Sequence, residues 1–308
     1  MAYNAGSVVT NFTAGVKDFK AGIKTVKGEL SGLATSVKKT GMKMKSAGST
    51  MTKGVTAPLL AITGAAVKFG TDFEDAMTKS TSIMTGMNEE LRAEMEETAR
   101  TIGTTTDKSA KEAADSYYYL ASAGMDAKES IEALPVVAEF ATAGNFDMAT
   151  ATDLLTDAQS ALGLTVDDTA ENMENMVELS DILTKAQNLA NASTQEFSEA
   201  LTNQAAGALK AVGKSTEEGV AMLATFADMG YKGQKAGNML ARTLTYLQDA
   251  EAKNAEEWDN LKMSIYDGNG EMKNMADIVE MLEGELEGLS SKERKAKLEK
   301  ADMAVVTT

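Results

Sequence analysis

One local signature recurs between residues 107 and 250, and it narrows the fold more than any other feature of the chain. A small polar residue is followed three positions later by glutamate: Ser109 with Glu112, Asp126 with Glu129, Ser193 with Glu196 and Ser215 with Glu218. Such a pair closes a helix start, because each side chain accepts from the other residue's backbone N–H, and two donors without an intrahelical partner are satisfied. Glycines follow at the far ends, at Gly124, Gly144, Gly163, Gly213 and Gly230, where a left-handed C-cap favours them. Between the marks, apolar residues step by three or four. Ala110, Ala113, Tyr117, Leu120 form one stripe; Ile131, Leu134, Ala138, Ala141 another; Met148, Ala151, Leu155, Ala158, Leu162 a third; and Ala236, Leu240, Thr243, Leu247, Ala250 a fourth. Short links between helices imply antiparallel neighbours. The expected fold class is all-α: an N-terminal heptad helix or coiled coil, then a compact multi-helix domain.

Composition agrees. The 308 residues include only 2 prolines and few aromatics, with abundant alanine, methionine, lysine and glutamate. There is no histidine and no cysteine. That excludes disulfides, thiolate chemistry, His-ligated zinc and a Ser-His-Asp triad. The many carboxylates include no distinguishable acid/base pair, so no enzyme, no cofactor and no metal site is expected.

The formal charge of −16 is unevenly spread. Residues 1–57 hold nine lysines against Asp18 and Glu29, a balance of +7, which leaves −16 − 7 = −23 for residues 58–308. A basic arm on an acidic body suits anionic partners or docking on acidic protein; the plainer reading is a solvated helix face. The arm has no arginine and little aromatic interleaving, so no specific nucleic acid is expected as a partner.

Three parts are expected: a basic heptad arm at 1–57, a helical core at 58–250, and a third part at 251–308. In the arm, Phe12, Val16, Phe19, Ile23, Val26, Leu30, Leu33, Val37, Thr40, Met44, Ala47 and Met51 alternate steps of four and three without a slip. This is a heptad seam, with Val16 at position a. As one helix it is roughly 60 Å long. Six glycines interrupt it, each costing about 1 kcal/mol relative to alanine, so a partner surface is expected, either a second copy or the chain's own domain. The self-association residues are Phe12, Val16, Phe19, Ile23, Val26, Leu30, Leu33, Val37, Met44 and Met51.

Gly54 to Val67 carries no charge and is bounded by Lys53 and Lys68. At roughly 21 Å it falls short of the roughly 30 Å hydrocarbon core, which makes a buried core helix the plainer reading. The sharper one is a membrane-perturbing segment acting through Val55, Leu59, Leu60, Ile62 and Val67. Phe69 to Ile102 continues helically, with Asn88 as a cap. In Tyr117-Tyr118-Tyr119, neighbours diverge by about 100°, so one ring, Tyr117, joins the core.

Two stretches imitate ligand motifs. Gly207 to Ser215 has a P-loop's residue types, but five residues separate the glycines where four are required, and a helix precedes it. Asp267, Asn269 and Glu271 start like a calcium loop, yet Met272 and Ile278 stand where glycine and glutamate are needed. A small β-hairpin near 261–273, turning at Asp267-Gly268-Asn269-Gly270, fits better. Met275, Ile278, Val279, Leu282, Leu286 and Leu289 then make an amphipathic helix, Ser291 to Lys300 is charged, and the apolar end reads as a truncation.

Several stretches in this order resemble phage tail tape measure proteins. They are Thr56-Ala57-Pro58-Leu59, Phe73 to Met77, Ala99 to Gly103, Ser109 to Gly124, Leu134-Pro135, Ala141 to Gly144, and above all Asp228 to Leu247 (DMGYKGQKAGNMLARTLTYL). Tyr266 to Gly270 before an amphipathic helix adds to the likeness. The resemblance implies a structural protein of a long-tailed phage or prophage that lies in the tail tube lumen, sets tail length during assembly and leaves through the tip during genome delivery. It implies tube, tip and assembly-chaperone proteins as partners, transient contact with the host membrane, and residence in the virion or, during assembly, the host cytoplasm. Such proteins usually continue for hundreds of residues, so a fragment, a truncated prophage copy or a remainder encoded separately is expected.

Overall fold

A computed structural model describes residues 65–301, with side chains from residue 70 onward. Among them the regular structure is helical. The helices are α1 (Ala65–Thr81), α2 (Glu89–Thr105), α3 (Ala110–Ser122), α4 (Ala127–Gly144), α5 (Met148–Leu162) and α6 (Thr169–Leu189). Then come α7 (Thr194–Ala200), a π turn (Leu201–Ala205), α8 (Ala206–Ala211), α9 (Thr216–Asp228), α10 (Gly233–Lys253), α11 (Ala255–Asn260), α12 (Met275–Leu286) and α13 (Ser291–Lys300).

Each of the four marked pairs stands at a helix start, those of α3, α4, α7 and α9. Ser109, Asp126 and Ser193 each make the reciprocal box with the glutamate three residues on. Asn88 caps α2 by accepting from the Leu91 N–H at 2.8 Å. Gly124, Gly163, Gly213 and Gly230 all take positive φ just past a helix. Gly144 differs. It is the last residue of α4, and Asn145 takes the left-handed position at φ 57°. Gly144 is small for another reason: a Cβ there would lie 1.9 Å from the Phe146 ring.

α3 is the hub of the first half and packs on α1, α2, α4 and α5. The Ser80 hydroxyl donates to the Ala114 carbonyl at 2.7 Å, and the buried Tyr117 hydroxyl donates to the Met95 carbonyl at 3.1 Å. Tyr118 and Tyr119 are half-buried, so the first tyrosine of the three is the core member. α5 bridges to the second half, touching α4, α6, α7 and α8. α9 is buried along Glu218 to Ala227, which fits a helix apolar on nearly every side. α10 lies across α7, the π turn, α8 and α9.

The hairpin expected near 261–273 shrinks to one antiparallel bridge, Tyr266 with Met272. Two hydrogen bonds flank it, Asp267 N–H to the Glu271 carbonyl at 2.8 Å and Lys273 N–H to the Ile265 carbonyl at 2.7 Å. It extends no further because the Ile265 N–H donates to the Glu251 carboxylate of α10 at 2.6 Å. The strand pattern is spent on anchoring the turn to α10, with Met263 and Ile265 buried.

Candidate interaction site

Two sets of expected residues lie outside the described part: the seam from Phe12 to Met51, and Val55, Leu59, Leu60 and Ile62 of the apolar segment. Val67 falls in the first turn of α1. No described helix is long and apolar enough to cross a membrane. No group of three or more metal-ligating side chains occurs among the described residues.

The P-loop-like stretch is a helix junction. Gly207 is in α8, Gly213 turns at φ 66°, and Ser215 caps α9. Lys214 is turned inward, its side chain 3% exposed. Its ammonium lies 3.1 Å from Glu218 Oε1 and donates to the carbonyls of Met272 and Lys273. Glu218 also accepts from the Met275 N–H at 2.7 Å. A lysine thus committed cannot cradle a phosphate. The Ser215–Glu218 pair is therefore half a capping box: Ser215 accepts from the Glu218 N–H, while the carboxylate is diverted to the segment before α12. The calcium-like loop is likewise a turn, with Asp267 Oδ1 accepting from Asn269 and Glu271 N–H. Those backbone hydrogen bonds hold its carboxyl below the usual range.

The stretch Asp228 to Leu247 is a packing device. Asp228 accepts from the Asn191 N–H at 2.9 Å and so ties α9 to the end of α6. Gly230 and Gly233 turn the chain into α10 at φ 88° and 54°. Gly237 then meets the π turn so closely that a Cβ would lie 2.2 Å from the Ala200 carbonyl oxygen and 2.6 Å from that of Asn203. The π turn contains Gln204 at φ 76°, a left-handed non-glycine residue. Beyond this contact α10 turns Gln234, Lys235, Arg242 and Tyr246 outward.

The feature best placed to meet a partner is electrostatic. Residues 129–184, which make up most of α4 with α5 and most of α6, contain twelve carboxylates and no lysine or arginine. Glu171, Glu174, Glu178 and Asp181 follow one another along one side of α6 at helical spacing. Burial pushes the Glu178 carboxyl up, and Glu217 of α9, Glu174 and Asp181 push it further. Asp181 is raised by burial alone; Glu139 of α4 is raised by burial and by Asp181, and Asp153 by burial, Asp157 and Asp147.

A carboxyl raised in the fold contributes stability that is full below its unfolded pKa and is lost as pH rises through its folded one. These four therefore destabilise the neutral protein. Asp147, the α5 cap, is lowered by its backbone and side-chain bonds to Thr150, and its contribution is lost as pH falls through its depressed value. The unfolding midpoint is accordingly expected to rise as pH drops from 7 to about 5 and to fall again below about 4. Thermal unfolding across that range checks this; a midpoint that falls steadily from pH 7 speaks against it.

Comparison with known proteins gives one consistent answer. The family described as phage-related minor tail protein matches residues 96–301. The chain is 28% identical over 292 residues to the tape measure protein of Pneumococcus phage Dp-1, covering 94% of this chain and 25% of that protein. It is 32% identical over 170 residues to the probable tape measure protein of Escherichia phage P2, covering 55% of this chain and 20% of that one. The chain thus spans about a quarter or less of the curated relatives it matches. No solved structure matches.

Proposed function

The chain belongs to the phage-related minor tail protein family, and from that membership we propose that it acts as a tape measure component of a long phage or prophage tail. Its role in this reading is structural and not catalytic. It resides in the tail tube lumen of the virion, takes part in tail assembly and tail-length determination, and leaves during genome delivery. The single observation that carries the reading is the similarity to a tape measure protein along 94% of the chain. The tube, tip and chaperone proteins of the tail are its proposed partners. Even fully helical, 308 residues would reach at most roughly 460 Å. The described part is folded into short helices, so it supplies contacts rather than length. Antibodies against residues 65–301, applied to disrupted virions in negative stain, are expected to label tail tubes. Label confined to capsids, or absent from purified virions, overturns the proposal.

For the arm, homo-oligomerisation through the a and d positions is proposed. Nine large apolar residues, from Phe12 to Met44, lie on the seam, and burying each is worth about 1.5–3 kcal/mol. That outweighs six glycines at about 1 kcal/mol each, provided a partner helix is present. Ile23→Asp with Leu30→Asp is expected to convert oligomers to monomers in sedimentation without changing the unfolding midpoint of the core. An unmodified chain that sediments as a monomer at every concentration and salt sinks the idea.

A further inference from the structure

An open groove of about 380 Å³ lies between the end of α5, α6, α8 and the start of α9. Its floor includes Leu164, Leu179, Ile182 and Leu209, and its rim carries Glu178 and Glu217. It runs beside the carboxylate stripe of α6. The neighbouring bases are few. Two of them line the groove itself: Lys214, which is committed inward, and Lys210, which is exposed and lies against Gly163 at the carboxyl end of α5; Lys185 closes the stripe.

We propose that this groove and the α6 stripe are the docking site of the lysine flank of the N-terminal arm, residues 1–57 of this chain. Charge and register both argue for this occupant. The arm carries +7 against a block of 56 residues, 129–184, with no base at all. With Val16 at position a, Lys17, Lys24, Lys38 and Lys45 fall at b, and Lys20 and Lys27 at e. These positions lie side by side on a helical wheel, so six of the nine lysines share one flank. The acids of the arm, Asp18 at c and Glu29 at g, fall on the other side.

The spacings match as well. Lys17, Lys20, Lys24 and Lys27 step by three, four and three; Glu171, Glu174, Glu178 and Asp181 step by three, four and three. Two helices laid side by side share the same rise per residue, so four cations meet four anions in register. The step pattern reads the same in both directions and serves parallel and antiparallel docking alike. The apolar floor suits lysine too. Its methylene stem covers leucine and isoleucine while the ammonium stays at the carboxylate rim. Burial and then neighbouring carboxylates raise the Glu178 carboxyl, and an ammonium at the rim offsets the repulsive part.

Docking does not need the arm to self-associate, since the lysine flank of b and e positions lies to one side of the a/d seam. The test uses the full chain. Carbodiimide, which joins lysine to carboxylate only at contact, is expected to link Lys17, Lys20, Lys24 or Lys27 to the α6 stripe or Glu217. Triple reversal, E174K with E178K and D181K, is expected to abolish those links and to speed tryptic cleavage within the arm by about tenfold, as undocking exposes it. Adding K20E, K24E and K27E should restore protection at arm lysines that both variants keep, Lys17, Lys38, Lys39, Lys43 and Lys45. Circular dichroism midpoints establish that each variant folds. Arm lysines that link elsewhere or not at all, or equal cleavage before and after reversal in folded protein, overturn the proposal. Sedimentation of the seam variants reads the self-association separately.

Discussion

Replacing Gly237 with alanine is expected to lower the unfolding midpoint by roughly 5–10 °C, the equivalent of about 2–3 kcal/mol for a domain of this size. In a helix interior the same change normally stabilises, because alanine outranks glycine by about 1 kcal/mol. Here sterics decide the sign. The added Cβ would meet the backbone carbonyl oxygens of Ala200 and Asn203 at 2.2 and 2.6 Å, and neither belongs to a flexible side chain. α10 would have to lift from α7 and the π turn, against which it packs. Gly70 provides the control. It lies within α1, is exposed, and has nothing within 4 Å of an added Cβ. Gly70→Ala is therefore expected to gain about 0.5–1 kcal/mol. Urea unfolding of the two variants checks the contrast; effects of the same sign would mean that the close approach at Gly237 is absent.

Lys214→Met is expected to cost about 3–5 kcal/mol, because it strands a buried carboxylate. Three acceptors lose the ammonium: Glu218, Met272 and Lys273. Met275, which donates to Glu218, loses its charge-balanced partner. The damage should be local as well as global. The segment around 265–278 is held to α9 through this cluster, so its amides should exchange sooner than those of α3 or α5. Glu218→Gln added to Lys214→Met should recover part of the loss, since removing both charges is cheaper than removing one. Hydrogen exchange with urea unfolding reads both effects. Equal stability of single variant and parent would place Lys214 in solvent.

The cluster also shows where local reading stops. Four polar–glutamate pairs look alike in the sequence, and three close as boxes. The fourth fails because Glu218 finds Met275, 57 positions away, and no local pattern announces such a partner. Ser290 with Glu293 makes a further box that carries the same signature. At Gly144 the pattern gives the right helix end but the wrong residue, because Asn145 tolerates the left-handed turn and Phe146 needs the space. The π turn is invisible to a helical period, since Ala200, Leu201, Ala205 and Leu209 remain buried on either side of it. Its only sequence trace is on the facing helix, in the spacing of Gly233 and Gly237. The α6 stripe is plain in the sequence, but carboxylates along a helix are usually just a solvated face. It takes the fold to set Glu217 and a leucine floor beside them.

Trp258 is the single tryptophan of the chain, and it is 1% exposed. Its indole N–H donates at 3.2 Å to the carbonyl of Ala301, the residue that ends α13. The protein thus has a built-in fluorophore at one joint, between the short helix after α10 and the last helix described. Emission will redden when that joint opens, whatever the rest is doing, while ellipticity sums over every helix. The two signals followed through one melt separate the release of the carboxyl-terminal helices from the collapse of the whole, with no dye or label attached.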